Sequence, residues 1–114
     1  IEEPIKLATA LSGVATGHCI LLDCLTLWLT NLILTDNQSL FTQERDAFLT
    51  VLPTLNNRLL IVSNETNMGI TPMGELSRRY CDEAGRLHQE TAQQCTQVIL
   101  TVAGLPHMLK GKQL

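Results

Sequence analysis

Along the chain, short unbroken apolar runs alternate with longer stretches in which apolar residues recur every three or four positions. The first kind reads as a buried strand and the second as an amphipathic helix. Glu2 and Glu3 precede Pro4, a sequence that suits a first helical turn. Ile5, Leu7, Ala8 and Leu11 then give one apolar face, and Gly13 is a plausible stop. CILL, residues 19–22, is a continuous apolar run ending at Asp23, which predicts a strand buried on both faces, as in a parallel sheet. Leu25 to Leu34 is too long for one strand and reads as a helix. A turn is expected over 35–40, and a weaker helical pattern over 41–52 that stops at Pro53. Leu59 to Val62 is a second buried strand, ending abruptly in Ser63, Asn64 and Glu65. After a loop at 66–71, Thr71 and Pro72 look like an N-cap and a first-turn proline. Leu76, Tyr80, Ala84, Leu87, Thr91 and Cys95 form one stripe of a helix running to about Gln94. Arg79, Glu83, Arg86 and Glu90 line another face, as a solvated, salt-bridged surface would. Val98 to Val102 is a third strand, and the tail with Lys110 and Lys112 is expected to fray.

Buried strands alternating with helices predict an α/β layer structure, with a mostly parallel sheet and flanking helices. No repeat or linker divides residues 1–114, so a single domain is expected. A 45% hydrophobic and 17% charged composition is that of a globular chain rather than a disordered one. The net charge of −3, with no Lys/Arg run, argues against a nucleic-acid partner. Cys19, Cys24, Cys81 and Cys95 make no C-x-x-C pair and the three histidines complete no zinc pattern. They read as reduced thiols in or near the core of a cytoplasmic protein. CILLDCLTLWLTNLIL is interrupted by Asp23 and Asn31 and is too short to span a bilayer comfortably, so no membrane span is expected. The chain opens without Met, straight into a helix start, and the natural protein is expected to extend upstream.

In open parallel sheets, ligands bind outside the carboxyl ends of the strands. Those ends carry Asp23, Asn64–Glu65 and Gly104. An acid directly after a hydrophobic run, as in ILLD, has the shape of a Walker B element, whose carboxylate holds Mg²⁺ through water beside nucleotide phosphates. The competing reading is that Asp23 caps the following helix. Glu65 admits a metal, a proton, a ribose contact, or no role beyond its loop. Arg78 and Arg79 could meet a phosphate or simply face solvent. His18, His88 and His107 show no partner in the sequence. A Gly-rich cradle, G-x-x-x-x-G-K-[ST], is absent from the chain. The residues alone therefore define an α/β domain with an acidic strand-end site suited to Mg²⁺ and a nucleotide.

Taken together and in order, LLDCLTLWLTNLIL, IVSNETNMGITP, ELSRRYCDEAGRLHQ and VAGLPHMLK resemble one family. It is the bifunctional adenosylcobinamide kinase / adenosylcobinamide-phosphate guanylyltransferase family of cobalamin biosynthesis. IEEPIKLATAL fits a further family segment. The resemblance implies a P-loop NTPase-like (RecA-like) fold, whose N-terminal P-loop unit is absent here, assembled as a homotrimer. It implies Mg²⁺, with GTP or ATP as substrates, and adenosylcobinamide as acceptor. One step phosphorylates the aminopropanol arm of the corrinoid, and the other moves GMP from GTP to a histidine and on to the phosphorylated corrinoid. By position, Asp23 matches the Walker B-like acid and Glu2 an acid that contacts GTP. Asn64, Glu65, Gly69 and Pro72 match a loop that shapes the cleft, where Gly69 lets the backbone turn, and Arg79 joins the cleft-lining set. Thr66–Asn67 stands where the family usually has Val-Gly, Thr71 where it has Val, and His88 where Asn is common. The P-loop and guanylylated histidine lie upstream of IEEP in the family, so no catalytic residue is assigned here and the chain alone is expected to be inactive. The alternative is a non-catalytic remnant acting as an assembly or corrinoid-binding module.

Overall fold

A computed structural model describes residues 1–112 of the chain. The elements run α1 (Leu7–Ser12), β1 (Ile20–Asp23), α2 (Leu25–Leu34) and α3 (Gln38–Val51), then a 3₁₀ turn (Leu52–Thr54). β2 (Leu59–Val62), α4 (Glu75–Gln94), β3 (Val98–Val102) and β4 (Leu105–Lys110) complete them.

Local chemistry sets most boundaries. The N-terminal helix starts later than Pro4 suggested, because Glu3 folds its carboxylate back to accept from the amides of Ile5 (3.0 Å) and Lys6 (3.1 Å). That turn occupies the stretch predicted as the first helical turn. The Asn37 side chain accepts from Leu40 N (3.1 Å), so α3 begins inside the predicted 35–40 turn. Pro53 ends it in a 3₁₀ turn. Thr71 and Pro72 do not start α4. Gly74 is its extended N-cap and Glu75 supplies a first-turn acid.

β1 and β2 pair in parallel, from Ile20↔Leu59 to Asp23↔Val62. β3 does not join them. It turns back at Ala103 (φ 52°) and Gly104 (φ 75°), two consecutive left-handed residues of the kind a two-residue hairpin needs, and pairs antiparallel with β4. Among the described residues there are thus two separate two-stranded sheets, and only one is parallel. The tail expected to fray is β4. Lys110 Nζ donates to the last-turn carbonyls of α4, Ala92 O (2.9 Å) and Gln93 O (3.1 Å), tying the hairpin to the negative end of that helix.

The core lies between the helices and one face of the parallel pair. Leu25, Leu29, Leu32, Phe41, Phe48 and Leu87 are fully buried, and each such side chain contributes roughly 1.5–3 kcal/mol relative to exposure. Trp28 packs on Phe48, ring centroids 5.2 Å apart, and donates from Nε1 to Ile5 O (2.7 Å), which anchors the N-terminal segment. Ile20, Leu22, Leu59 and Ile61 pack against this core. Their neighbours Leu21 (66% exposed), Leu60 (45%) and Val62 (43%) face outward. The strands predicted as buried on both faces are therefore covered on one face only, because all four helices gather on the other. Cys24, Cys81 and Cys95 are half-buried and Cys19 is exposed, all four as free thiols. Among the described residues, no helix is long and apolar enough to cross a membrane.

Candidate functional site

Parallel pairing brings the carboxyl ends of β1 and β2 side by side, which puts Asp23 across from Val62 and next to the start of the 63–74 loop. Asp23 is exposed and makes no side-chain hydrogen bond or ion pair among the described residues. Cys24, not Asp23, is the N-cap of α2, so the capping reading of Asp23 does not hold.

A hydroxyl cluster pins the loop start. Ser63 Oγ lies 2.6 Å from His88 Nε2 on α4 and 3.2 Å from Thr26 Oγ1 on α2. Asn64 N donates to Thr26 Oγ1 (2.8 Å). His88, which showed no partner in the sequence, thus has one. The signal was its spacing, two helical turns beyond Tyr80 on the face that looks at β2. Further along the loop, Glu65 Oε1 accepts from Asn67 N (2.7 Å), and Asn67 Nδ2 donates to Cys81 O (3.0 Å). A β-carbon on Gly85 would meet that amide at 2.8 Å, so the helical glycine leaves room for the loop side chain. Gly69 is exposed, lies outside the left-handed region, and has open space where a side chain would go. The bend expected of it is supplied instead by the contacts of Asn64 and Asn67.

Arg79 is turned toward α3. Its Nη2 donates to Gln38 Oε1 (2.9 Å), and its guanidinium lies 5.2 Å from the Phe41 ring centroid. Glu83 pairs with Arg86 (3.6 Å) and across to Arg45 of α3 (3.7 Å), as expected of a salt-bridged face.

Two concavities flank α2. A groove of about 690 Å³ follows β1 and is lined by Glu2, His18, Leu21, Asp23, Leu27 and Asn31, among others. Two of the predicted site residues, Glu2 and Asp23, therefore share one groove. The second, of about 450 Å³, opens on the opposite flank and is lined from α2 by Thr26, Thr30, Ile33 and Leu34. Its other wall is Thr66 with Leu76, Ser77, Tyr80 and Cys81 of α4. Burial holds the Tyr80 phenol above its ordinary value, the neighbouring Thr26 hydroxyl opposing this, and the Tyr80 hydroxyl is enclosed with no well-formed hydrogen bond among the described residues.

Chemically, the groove offers free carboxylate at a strand end. Among the described residues no group of three or more His, Cys, Asp or Glu side chains could hold a metal ion. One exposed aspartate fits Mg²⁺ whose remaining ligands are water and substrate phosphate, the usual way this ion is held.

Fold and site define a mixed α/β domain with a small parallel sheet, flanking helices and an acidic cleft at the strand ends. The family model described as cobinamide kinase / cobinamide phosphate guanyltransferase matches residues 1–109, and the chain belongs to that family. It is 55% identical over 115 residues to the bifunctional adenosylcobalamin biosynthesis protein CobP of Pseudomonas aeruginosa, covering all of this chain and 66% of that protein. It is 29% identical over 112 residues to the bifunctional adenosylcobalamin biosynthesis protein CobU of Escherichia coli, and 28% to that of Salmonella typhimurium. Each of these alignments covers 87% of this chain and 62% of the relative. The chain spans about two thirds of the length of the curated relatives it matches.

Proposed function

We propose that this chain is the nucleotide- and acceptor-binding part of a cytoplasmic kinase/guanylyltransferase of cobalamin biosynthesis, acting on adenosylcobinamide with GTP or ATP. The observation that carries the reading is that Glu2 and Asp23 line one groove at the carboxyl end of a parallel strand. Family membership supports the choice of substrates. In the kinase step a hydroxyl oxygen of the corrinoid's aminopropanol arm displaces the nucleoside diphosphate from the γ-phosphorus. In the transfer step the corrinoid phosphate oxygen takes GMP, with pyrophosphate released when GTP loads the enzyme.

Asp23 has the role of fixing a hydrated Mg²⁺, which neutralises charge on the phosphates. The exposed carboxylate, free of partners among the described residues, leaves its oxygens available to that water shell. Glu2 meets the nucleoside side of the groove. Asn64 and Glu65 shape the loop above the strand ends rather than ligating metal, since Glu65 is engaged with Asn67 N. A G-x-x-x-x-G-K-[ST] cradle and the histidine that accepts GMP are to be supplied from outside residues 1–114, in a P-loop NTPase-like homotrimer.

Calorimetric titration of GTP with Mg²⁺ into the chain, repeated with Asp23→Asn, tests this. Saturable binding that weakens tenfold or more in the variant is expected. Wild-type and variant titrations without saturable heat would favour a non-catalytic remnant serving assembly.

A further inference from the structure

Helix α2 is a partition. Cys24, Leu27, Trp28 and Asn31 turn one flank to the groove that holds Asp23. Thr26, Thr30, Ile33 and Leu34 turn the other flank to the second cavity. The two sets interleave at helical spacing, so one helix separates two binding-sized spaces.

The two spaces differ in chemistry. Both carboxylates of the candidate nucleotide site lie on the groove side. The second cavity has no charged side chain among the residues that line it. A triphosphate or a free metal ion would find nothing there to balance its charge. What the cavity offers is apolar wall and neutral hydroxyl. Leu34 and Leu76 are large apolar residues left more than half exposed at its rim, and Tyr80 adds a ring. Thr66 and Ser77 carry hydroxyls that make no hydrogen bond among the described residues. The loop joining Thr66 to the start of α4 carries Met68, Ile70 and Met73, all exposed, which extends the apolar surface beyond the cavity.

We infer that this cavity, between α2 and α4, seats the edge of the corrinoid acceptor. The inference rests on the proposed function and places its second substrate. A corrinoid is a broad, flat macrocycle whose rim alternates methyl groups with uncharged carboxamide arms. Such a rim matches a neutral pocket with apolar walls and two free hydroxyls. A space of about 450 Å³ takes part of that rim and not the whole ring, and the exposed leucines and the loop cover the remainder. Thr26, on the cavity side, lies in the first turn of α2, three residues after Asp23 on the groove side, so the arm carrying the reacting hydroxyl has only one turn of chain to pass to the nucleotide side.

The test titrates dicyanocobinamide into the full chain, followed by its visible absorbance and by calorimetry. It is repeated with Leu34→Glu and with the double variant Thr66→Val/Ser77→Ala, each checked for helical content. Saturable binding by the wild type is expected, weakened tenfold or more by Leu34→Glu and several-fold by the double variant. GTP titrations should be the same in all three. Absence of corrinoid binding by the folded wild type, or binding that neither variant weakens, overturns the inference. So does a Leu34→Glu variant that changes sedimentation while binding corrinoid normally, because the rim would then be a contact between copies. Loss of GTP response with corrinoid binding intact would remove the nucleotide reading alone.

Discussion

The Tyr80 hydroxyl is enclosed with no well-formed hydrogen bond among the described residues, an arrangement that carries an energetic penalty. Tyr80→Phe removes the penalty and keeps the ring. Stability at neutral pH is therefore expected to stay level or rise by about 1 kcal/mol, read from the urea midpoint. The pH dependence has a definite sign. Burial raises the folded phenol above the ordinary tyrosine value, so the folded state keeps this proton to higher pH than the unfolded chain does. Its contribution is complete below that value and is lost as pH rises through the folded one. The phenylalanine variant should lose less stability across that alkaline window than the wild type, and an identical loss would refute the assignment. At this scale the sequence showed which residues stood at strand ends, because an apolar run stopping at a polar residue is visible in one dimension. It did not show that Ser63 meets His88, since that contact needs β2 and α4 to be packed first. Nor did it show that Arg79 faces Phe41 rather than the cleft, because either side of an amphipathic helix accepts an arginine.

Elements were legible where periodicity was long or an apolar run short and sharply ended, as for α2, β2 and α4. Their boundaries moved where a local turn or cap decided them, as at the Glu3 turn, the Asn37 cap and the extended Gly74. The hairpin of β3 and β4 escaped notice because its turn is Ala103–Gly104, in which alanine occupies a left-handed position that asparagine or glycine usually fills. Left-handed alanine is strained, by roughly 1 kcal/mol. Ala103→Asn is accordingly expected to raise the thermal midpoint by a few degrees, a stabilisation of about 0.5–1 kcal/mol. A lower midpoint would mean that the turn draws its geometry from elsewhere. The strand pattern of Leu105 to Lys110 was further masked by Pro106, which is tolerated because β4 pairs on one side only.

For the molecule as a whole, the layered α/β character could be read from the alternation of strand and helix patterns, and the exposed face of the parallel pair could not. A run such as LLIV looks the same whether helices cover one face or two. The parallel pair also joins segments far apart in sequence, because β1 and β2 bracket α2 and α3. Helical turns and the hairpin close locally and early, whereas the β1–β2 ladder must wait for that long loop to close. Asp23 and the Ser63 cluster hang on this ladder, so the cleft is expected to assemble late and to open early. In rising urea, nucleotide and corrinoid binding should therefore vanish before the helical signal declines, and coincident transitions would contradict this order. A protein built this way senses damage to its fold first as silence of its chemistry, while most of its backbone is still in place.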